Sequence, residues 1–508
     1  MDGLPKLPAE FLEVNYDVSE PPVSARAPTA AIRQIKAPIP FAVSNIFWAD
    51  VVSANRISSG DDVKNIYDLV LDMKDFPYKM VPGDTIGICP RNNREQVEKL
   101  LDRLGVREHM DISCHITVKA VTEKKNPSVP LYIPRNSTLR EIFESCLDLQ
   151  AVPKKLFLRA LLEYTSDPKD HDSLSGLCNR KSDTYSDWVA SGRSYLEAVL
   201  IDHPSCLPPI NVVLEHMPRL LPRPYSIAFL SGENNSHLHI AFSVIQFFVA
   251  GEKKSGVCTS WLENVTSELR DSGDSASALC SQVAALSLSA EDKPRVQIPV
   301  FLRASNGFHA PPDLSCPLIM VGPGVGVAPF IGFMQQREQQ LKDANLLDVN
   351  QCWLFYGCRY PDRDMVYSDE VKRYISNGIL DKYILAHSRD HSAPKYVQDN
   401  IRLYSRDVCQ MLLEGDAYFF VCGDAATMAR DVLAVIVDSV ARYKNVNKAD
   451  AQKIVMELQA AGRYREDVWT MQDDVVRMYS KAMAEDNKRK VMNAVVPPER
   501  RLVVCDMV

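Results

Sequence analysis

Several features are missing from this sequence, and each absence argues against a class of protein. No apolar run reaches the roughly 18 residues that a membrane helix needs, so we expect no membrane anchor. The first residues lack the basic and then apolar pattern of a secretory signal, so we expect a cytoplasmic protein. Lys and Arg number 58 against 65 Asp and Glu, and this acidic balance argues against nucleic-acid binding.

Metal-binding and disulfide patterns are missing as well. The 13 cysteines form no CxxC pair and no zinc-ligand spacing, so we predict reduced thiols and no metal site. What remains is an ordinary globular composition, with 46% hydrophobic and 24% charged residues. The 508 residues contain no internal repeat, and the length suffices for about two to four domains.

The stretch LIMVGPGVGVAPFIGF, Leu318 to Phe333, is the strongest local signal. An apolar run leads into three glycines, and a helical pattern follows from Met334, which predicts a strand, a tight turn and a helix start. Glycines let the backbone approach a bound group, and a helix N-terminus offers free N–H donors to phosphate. Taken by itself, the pattern also fits a buried turn without a ligand.

The hydrophobic patterns along the chain predict an α/β protein with a β-barrel. Residues 1–38 have the composition of a linker or mobile arm, although an ordinary frayed terminus fits equally. Residues 39–312 carry the strand patterns of an antiparallel barrel, interrupted at about 130–205 by an all-helical insertion. In residues 313–470, short apolar strands alternate with polar helical segments, which predicts a parallel α/β domain. Residues 471–508 form a C-terminal tail.

Two short motifs in the barrel region suit a flavin nucleotide. In RPYS, Arg223 to Ser226, the arginine can pair with a pyrophosphate, the tyrosine can stack on a ring and the serine can hydrogen-bond a ring nitrogen. In GVCT, Gly256 to Thr259, the N–H groups of a helix start and the threonine hydroxyl suit the pyrophosphate. On its residues alone, RPYS could also be a turn with a packed tyrosine.

Eight motifs in order resemble the reductase half of the diflavin reductases. They are RPYS, GVCT, MVGPGVGVAPFIGF, FYGCR, SRD, KYVQDN, VCGDAATMARDV and DVW, and the resemblance covers about Phe41 to Trp469. Several look most like the methionine synthase reductase branch of that family. The resemblance implies an FAD-binding barrel of the ferredoxin reductase type, an NADPH-binding domain and electron flow from NADPH to FAD.

The resemblance also implies roles for individual residues. The FAD-binding set is Arg223, Pro224, Tyr225, Ser226, Gly256, Val257, Cys258, Thr259 and Trp469. The nucleotide-binding set is Arg56, Gly324, Val325, Ser388, Arg389, Lys395, Tyr396, Val397, Gln398 and Asp431. The catalytic set is Ser226, Cys358, Asp467 and Trp469. Cys358 could instead be a buried core thiol, Trp469 a packed residue at a helix end, and the Ser388 region a solvated loop.

Three departures from the family pattern limit what the resemblance implies. Val325 stands where the family usually has threonine, and residues follow the terminal tryptophan. No segment before the barrel is long enough for the flavodoxin-like domain, so we expect FMN only on a missing or separate domain. An isoform, a truncated gene model or a split system would each explain that.

The partner implied by the resemblance is methionine synthase, whose cobalamin would receive the electrons, or a flavodoxin-like FMN protein. A general NADPH–flavodoxin or cytochrome reductase module is the alternative enzyme. The alternative that is not an enzyme is a non-catalytic nucleotide-binding decoy.

Overall fold

A computed structural model describes residues 3–17, 37–249, 252–270, 295–344, 351–389 and 394–469. The chain divides into two compact units. The helical unit comprises Met1–Ile39, Cys89–Arg223 and Ile245–Leu262. The two-sheet unit comprises Pro40–Ile88, Pro224–Val244 and Glu263–Val508.

The elements are named in chain order. The strands are β1 (Leu12–Tyr16), β2 (Phe47–Arg56), β3 (Ile66–Asp72), β4 (Thr85–Ile88), β5 (Ser113–Val118), β6 (Asn136–Thr138), β7 (Arg223–Ser226), β8 (Leu230–Ser231), β9 (His237–Ser243), β10 (Gln246–Val249), β11 (Glu252–Ser255), β12 (Gln297–Leu302), β13 (Leu318–Val321), β14 (Cys352–Cys358), β15 (Lys382–His387), β16 (Tyr418–Asp424) and β17 (Tyr464–Trp469). The helices are α1 (Arg94–Arg103), α2 (Leu139–Ser145), α3 (Lys155–Leu162), α4 (Pro168–Cys178), α5 (Thr184–Ala190), α6 (Leu196–Asp202), α7 (Ile210–His216), α8 (Val257–Val265), α9 (Ser267–Arg270), α10 (Ala328–Ala344), α11 (Ser368–Ser376), α12 (Val397–Leu403), α13 (Ser405–Glu414), α14 (Arg430–Lys444) and α15 (Lys448–Ala460).

The helical unit packs α1 to α7 around one apolar core. Helix α3 shows why these segments are helices, because its apolar side chains recur on one face and Leu158 and Leu161 are fully buried. Helix α2 has an N-cap, since the Thr138 side chain accepts from the backbone N–H of Glu141. A three-stranded sheet, β1-β5-β6, belongs to the same unit.

That sheet corrects two expectations. Part of residues 1–38 is a strand, because β1 pairs antiparallel with β5 and places Leu12 opposite Val118. The alternation of buried and exposed residues in LEVNY is too short to stand out in a segment rich in proline and alanine. The insertion is also not purely helical, since β6 lies inside residues 130–205 and pairs with β5.

The two-sheet unit begins with a seven-stranded sheet of order β7-β4-β12-β2-β3-β9-β8. The pairs β4–β12, β12–β2, β2–β3, β3–β9 and β9–β8 are antiparallel, and a bulge lies between Val51 and Ser53 where β2 pairs with β3. This curled antiparallel sheet corresponds to the predicted barrel, and together with the parallel sheet it confirms the predicted fold class.

The second sheet is parallel, with strand order β15-β14-β13-β16-β17. Helices α10 to α15 alternate with its strands, as the sequence pattern predicts for an α/β domain. Strand β17 was missed, because YREDVW is mostly polar and lies at the sheet edge beside β16. The carboxyl ends of all five strands meet at one edge, where open α/β sheets bind ligands.

Several expectations fall on residues outside the described ranges. They include the tail 471–508 and residues 18–36 of the predicted arm. Within the described ranges, no helix is both long and apolar enough to cross a membrane. The compartment of the protein stays a prediction.

Candidate functional site

The glycine-rich turn lies at the carboxyl edge of the parallel sheet, between β13 and α10. A Cβ atom on Gly326 would lie 2.2 Å from the carbonyl oxygen of Cys422, so only glycine lets this turn pack against β16. Gly324 has φ +56°, a conformation that favours glycine. Val325 is half-buried and packs against the core, where a threonine would offer a hydroxyl. The predicted strand, turn and helix start are confirmed.

Beside this turn, a serine of the antiparallel sheet meets a carboxylate of the parallel sheet. The Ser226 hydroxyl at the end of β7 donates to Asp467 Oδ2 over 2.5 Å, and Asn306 Nδ2 lies 3.5 Å from Asp467 Oδ1. Burial raises the pKa of Asp467 above its usual value, while the Ser226 hydrogen bond, the charge of Arg303 and Asn306 oppose that shift. Two residues predicted to act together are therefore in direct contact.

Cys422 is the third member of this group, and sequence reasoning missed it. It lies on β16 directly opposite Asp467 in the parallel register with β17. Burial raises the pKa of the Cys422 thiol well above its usual value, the Asp467 charge raises it further, and a hydrogen bond with Ser226 opposes both. The thiol therefore stays protonated beside the serine and the carboxylate. Cys422 belongs to the sequence motif VCGD, but only the pairing of β16 with β17 shows that it lies beside Asp467.

Cys358, which was predicted to be catalytic, lies elsewhere. It ends β14, and β13 separates that strand from β16 in the sheet. Its backbone carbonyl accepts from the N–H of Ser388, so it sits on the side of the predicted phosphate contacts. The thiol is buried, and burial raises its pKa to about 12. The alternative reading of Cys358 as a core thiol therefore fits its position better.

Trp469 ends β17, two residues after Asp467, and its side chain is 41% exposed. It lies opposite Asp424 in the register with β16, at a strand end rather than at the helix end considered from the sequence. Tyr225, beside Ser226 on β7, is half-exposed. The exposed indole of Trp469 and the partly buried phenol of Tyr225 thus lie within two residues, along the chain, of Asp467 and Ser226.

The residues predicted to bind the 2′-phosphate follow β15. Arg389 is exposed, and its backbone N–H donates to the carbonyl of Arg359 after β14. Lys395 is exposed and lies 5.4 Å from the ring centroid of Tyr396, which is 48% exposed. The exposed cations and the phenol form a donor set suited to a phosphate. The Val397 side chain is 2% exposed and packs in the core, so it adds no side-chain donor to this set.

Two further predicted nucleotide contacts lie near the same edge. Arg56 ends β2 and donates to the carbonyl of Gly60 over 2.6 Å. The loop after Arg56 reaches the loop after β14, because Ser59 N donates to the carbonyl of Arg363 over 2.7 Å. Asp431 lies in the first turn of α14, 3.6 Å from the guanidinium of Arg430.

Comparison with known proteins agrees with this geometry. Residues 39–261 match the family described as an FAD binding domain, and residues 320–433 match the oxidoreductase NAD-binding domain. Methionine synthase reductase of Rattus norvegicus is 36% identical over 449 residues, covering 86% of this chain and 62% of the relative. That of Homo sapiens is 36% identical over 484 residues, covering 92% and 66%. The chain belongs to the diflavin reductase family.

The NADPH–cytochrome P450 reductase of Sus scrofa is 31% identical over 435 residues, which cover 85% of this diflavin reductase chain and 60% of the relative. The chain thus spans 62% to 66% of the length of the methionine synthase reductases and 60% of this cytochrome P450 reductase. What it shares with both groups is the FAD-binding and NAD-binding part, and those two domains confirm the predicted cofactors.

The remaining FAD-binding candidates of this diflavin reductase lie in the helical unit. Arg223 donates to the carbonyl of Leu221 over 2.5 Å. The N–H of Gly256 donates to the carbonyl of Ile245, and the Thr259 hydroxyl oxygen accepts from the N–H of Ile245 over 3.2 Å. Thr259 lies in the first turn of α8, so helix N–H groups and a hydroxyl occur together as the resemblance implies.

The residues present fit both cofactors. The turn at Gly326 has no room for a side chain, and Gly324 takes a glycine-favoured conformation, as close approach of a nucleotide requires. The exposed Trp469 offers an aromatic face suited to a flavin ring. Arg389 and Lys395 offer exposed charges suited to a phosphate.

A second side-chain pair near the Ser226–Asp467 contact, Asp84 with His309, was also missed from the sequence. Asp84 is fully buried, and its Oδ1 atom lies 2.9 Å from His309 Nε2. Its backbone carbonyl accepts from the N–H of Ile227, the residue after Ser226. The backbone N–H of His309 donates to the carbonyl of Gly307, in the loop that carries Asn306. Asp84 is therefore linked to the Ser226 strand through Ile227 and to the Asn306 loop through His309.

Proposed function

We propose that this chain is the FAD- and NADPH-binding part of an NADPH-dependent flavin oxidoreductase of the methionine synthase reductase type. The observation that carries the proposal is the contact of Ser226, Asp467 and Cys422 beside an exposed Trp469. A serine, a carboxylate and a protonated thiol at the ligand-binding edge of an α/β sheet suit charge transfer to a flavin more than they suit a structural role.

FAD, when bound, would accept two electrons from NADPH and release them one at a time. The chain's own residues prepare that reaction. The Asp467 carboxylate would stabilise the positive charge that develops on nicotinamide. The Ser226 hydroxyl donates a hydrogen bond to this carboxylate and fixes the orientation of the carboxylate group. The Cys422 thiol adds a neutral, polarizable group next to Ser226 and Asp467.

Trp469 and the phosphate contacts would determine which nucleotide reacts. The Trp469 indole, at the end of an edge strand, would cover the flavin ring and move away when nicotinamide arrives. Arg389 and Lys395, with Ser388, Tyr396 and Gln398 as hydrogen-bonding neighbours, would hold the 2′-phosphate that distinguishes NADPH from NADH.

The identity of the electron acceptor depends least on the residues described above. Relatives named methionine synthase reductase support methionine synthase as the partner. The resemblance of the sequence motifs implies that electrons would pass through FMN, on another domain or protein, to the cobalamin of that enzyme. Relatives named NADPH–cytochrome P450 reductase support a more general reductase module instead. The donor half of the reaction would be the same in both cases, because it depends on the residues described above.

A direct test measures flavin content and turnover on the purified chain. We expect extracted flavin to be FAD with little FMN, and NADPH to support ferricyanide reduction. A nucleotide-binding decoy would bind NADPH without turnover, and equal amounts of FMN and FAD would contradict the assignment. Adding a separate flavodoxin-like FMN protein and inactive cob(II)alamin methionine synthase then tests the acceptor, since recovery of methylation must require all three proteins.

A further inference from the structure

A cavity of about 330 Å³ lies within the helical unit, and none of the residues predicted to bind FAD lines it. Phe157 and His216 form one wall, with stacked rings whose centroids are 5.2 Å apart and whose planes differ by 14°. Its volume falls in the range of sites that hold small organic molecules. The cavity therefore has room for a ligand and a flat aromatic surface to receive it.

The charged side chains that line this cavity are both basic. They are Lys154 and Arg219, and no carboxylate lines the cavity in the described part of the chain. Within the described part of the chain, no carboxylate lies within ion-pair distance of Arg219, whose guanidinium donates to the carbonyl of Pro38 over 2.8 Å. Both features are unusual, because a partly buried guanidinium normally has an acidic partner.

The neighbours of Arg219 do not neutralise its charge. Burial lowers its pKa, and the groups that oppose this shift are Cys89, Cys146 and Tyr132. Burial in turn raises the pKa of each of these three groups to about 12, so all three are neutral at pH 7. Arg219 itself stays protonated, because arginine does not lose its proton in proteins. Among the described residues, its positive charge therefore has no compensating negative partner.

Two more features describe the ligand that would suit this cavity. Burial lowers the pKa of His216 to about 4, so at pH 7 its ring adds aromatic surface and no charge. Helix α3 begins directly after Lys154, and Phe157 of its first turn lines the cavity, so the positive end of the helix dipole lies at the rim. The cavity combines a flat apolar wall with an excess of positive charge.

We propose that this cavity binds a small organic anion that carries one carboxylate on a flat apolar body. The carboxylate would pair with the Arg219 guanidinium, whose planar fork matches its geometry, and the ring would lie against the Phe157–His216 wall. Lys154 at the rim adds attraction for the anion. The proposal does not depend on the redox reaction, because no predicted cofactor or catalytic residue takes part.

Benzoate is the probe, with neutral benzamide as its isostere, in calorimetric titrations of the full chain with FAD bound. We expect benzoate to bind with a stoichiometry of one and benzamide at least tenfold more weakly. Arg219→Gln should weaken benzoate roughly ten- to a hundredfold, the range of a charge-assisted hydrogen bond. Lys154→Gln should have a smaller effect in the same direction. The control Arg107→Gln, a change at a side chain that is 70% exposed in the same unit, should bind benzoate as the unaltered chain does.

The comparison of benzoate with benzamide decides the proposal even if Arg219→Gln fails to fold, because it needs no variant. Absence of saturable benzoate binding would overturn it. Equal affinity for benzoate and benzamide would overturn it as well, because the Arg219 charge would then contribute nothing. NADPH turnover is a separate measurement, so either proposal can fail without the other.

Discussion

Two buried cysteines near the ends of strands β14 and β16 provide a matched test of the proposed reaction centre. Cys422→Ala removes a thiol that touches Ser226 and lies opposite Asp467, whereas Cys358→Ala removes a thiol that touches neither in the described structure. Both side chains are almost fully buried, at 1% and 8% exposure, so each change should cost on the order of 1 kcal/mol of folding free energy. Stability should therefore not distinguish the two variants.

The rate of flavin reduction should distinguish them. A hydrogen bond between two neutral groups such as this thiol and the Ser226 hydroxyl contributes about 1 kcal/mol, which corresponds to roughly a fivefold loss of rate in Cys422→Ala. Cys358→Ala should reduce its flavin within about twofold of the unaltered rate. Stopped-flow bleaching of the flavin at saturating NADPH measures both variants, and melting curves check that they are folded. Slower reduction in Cys358→Ala alone would refute the assignment and restore Cys358 to the catalytic set.

Three further predictions follow from the same site. Arg389→Ala should weaken NADPH binding roughly 10- to 100-fold and leave NADH binding unchanged in equilibrium titrations, and an equal loss for both would refute the phosphate role. The rate of flavin reduction should rise with pH as the carboxyl of Asp467 ionises, at a pH above the usual pKa of aspartate because burial raises that pKa. Ser226→Ala removes a hydrogen bond that favours the carboxylate, so the rise should move to higher pH; an unmoved or lower midpoint would contradict this. Trp469→Ala should raise steady-state turnover with NADH, and an unchanged preference for NADPH would reduce Trp469 to a packing residue.

The fold could be predicted from the sequence because its strands are short, apolar and separated by strong turn signals. The glycine-rich turn after β13 is recognisable, since Gly324 and Gly326 occupy positions that few other residues could take. Strand β1 was not recognisable, because what makes it a strand is pairing with β5, about a hundred residues away. Local patterns carry no information on such a partner.

The candidate site could be predicted only in part, for the same reason. Ser226, Asp467 and Trp469 follow from the resemblance, and the structure places Ser226 in contact with Asp467. Cys358 and Cys422 look alike in sequence, since each is a cysteine near the end of an apolar strand. Strand order decides between them, because β13 lies between β14 and β16 and only β16 pairs with the strand that carries Asp467. The Asp84–His309 pair likewise depends on tertiary contact.

The most direct test of the proposed function is an anaerobic titration of the purified, FAD-loaded chain with NADPH, followed by the flavin absorbance. We expect one equivalent of NADPH to bleach about one equivalent of FAD without any added partner, because every residue assigned to this half-reaction lies on the chain. NADH at the same concentration should bleach it much more slowly. A chain that binds FAD and NADPH but whose flavin keeps its oxidised spectrum would contradict the account.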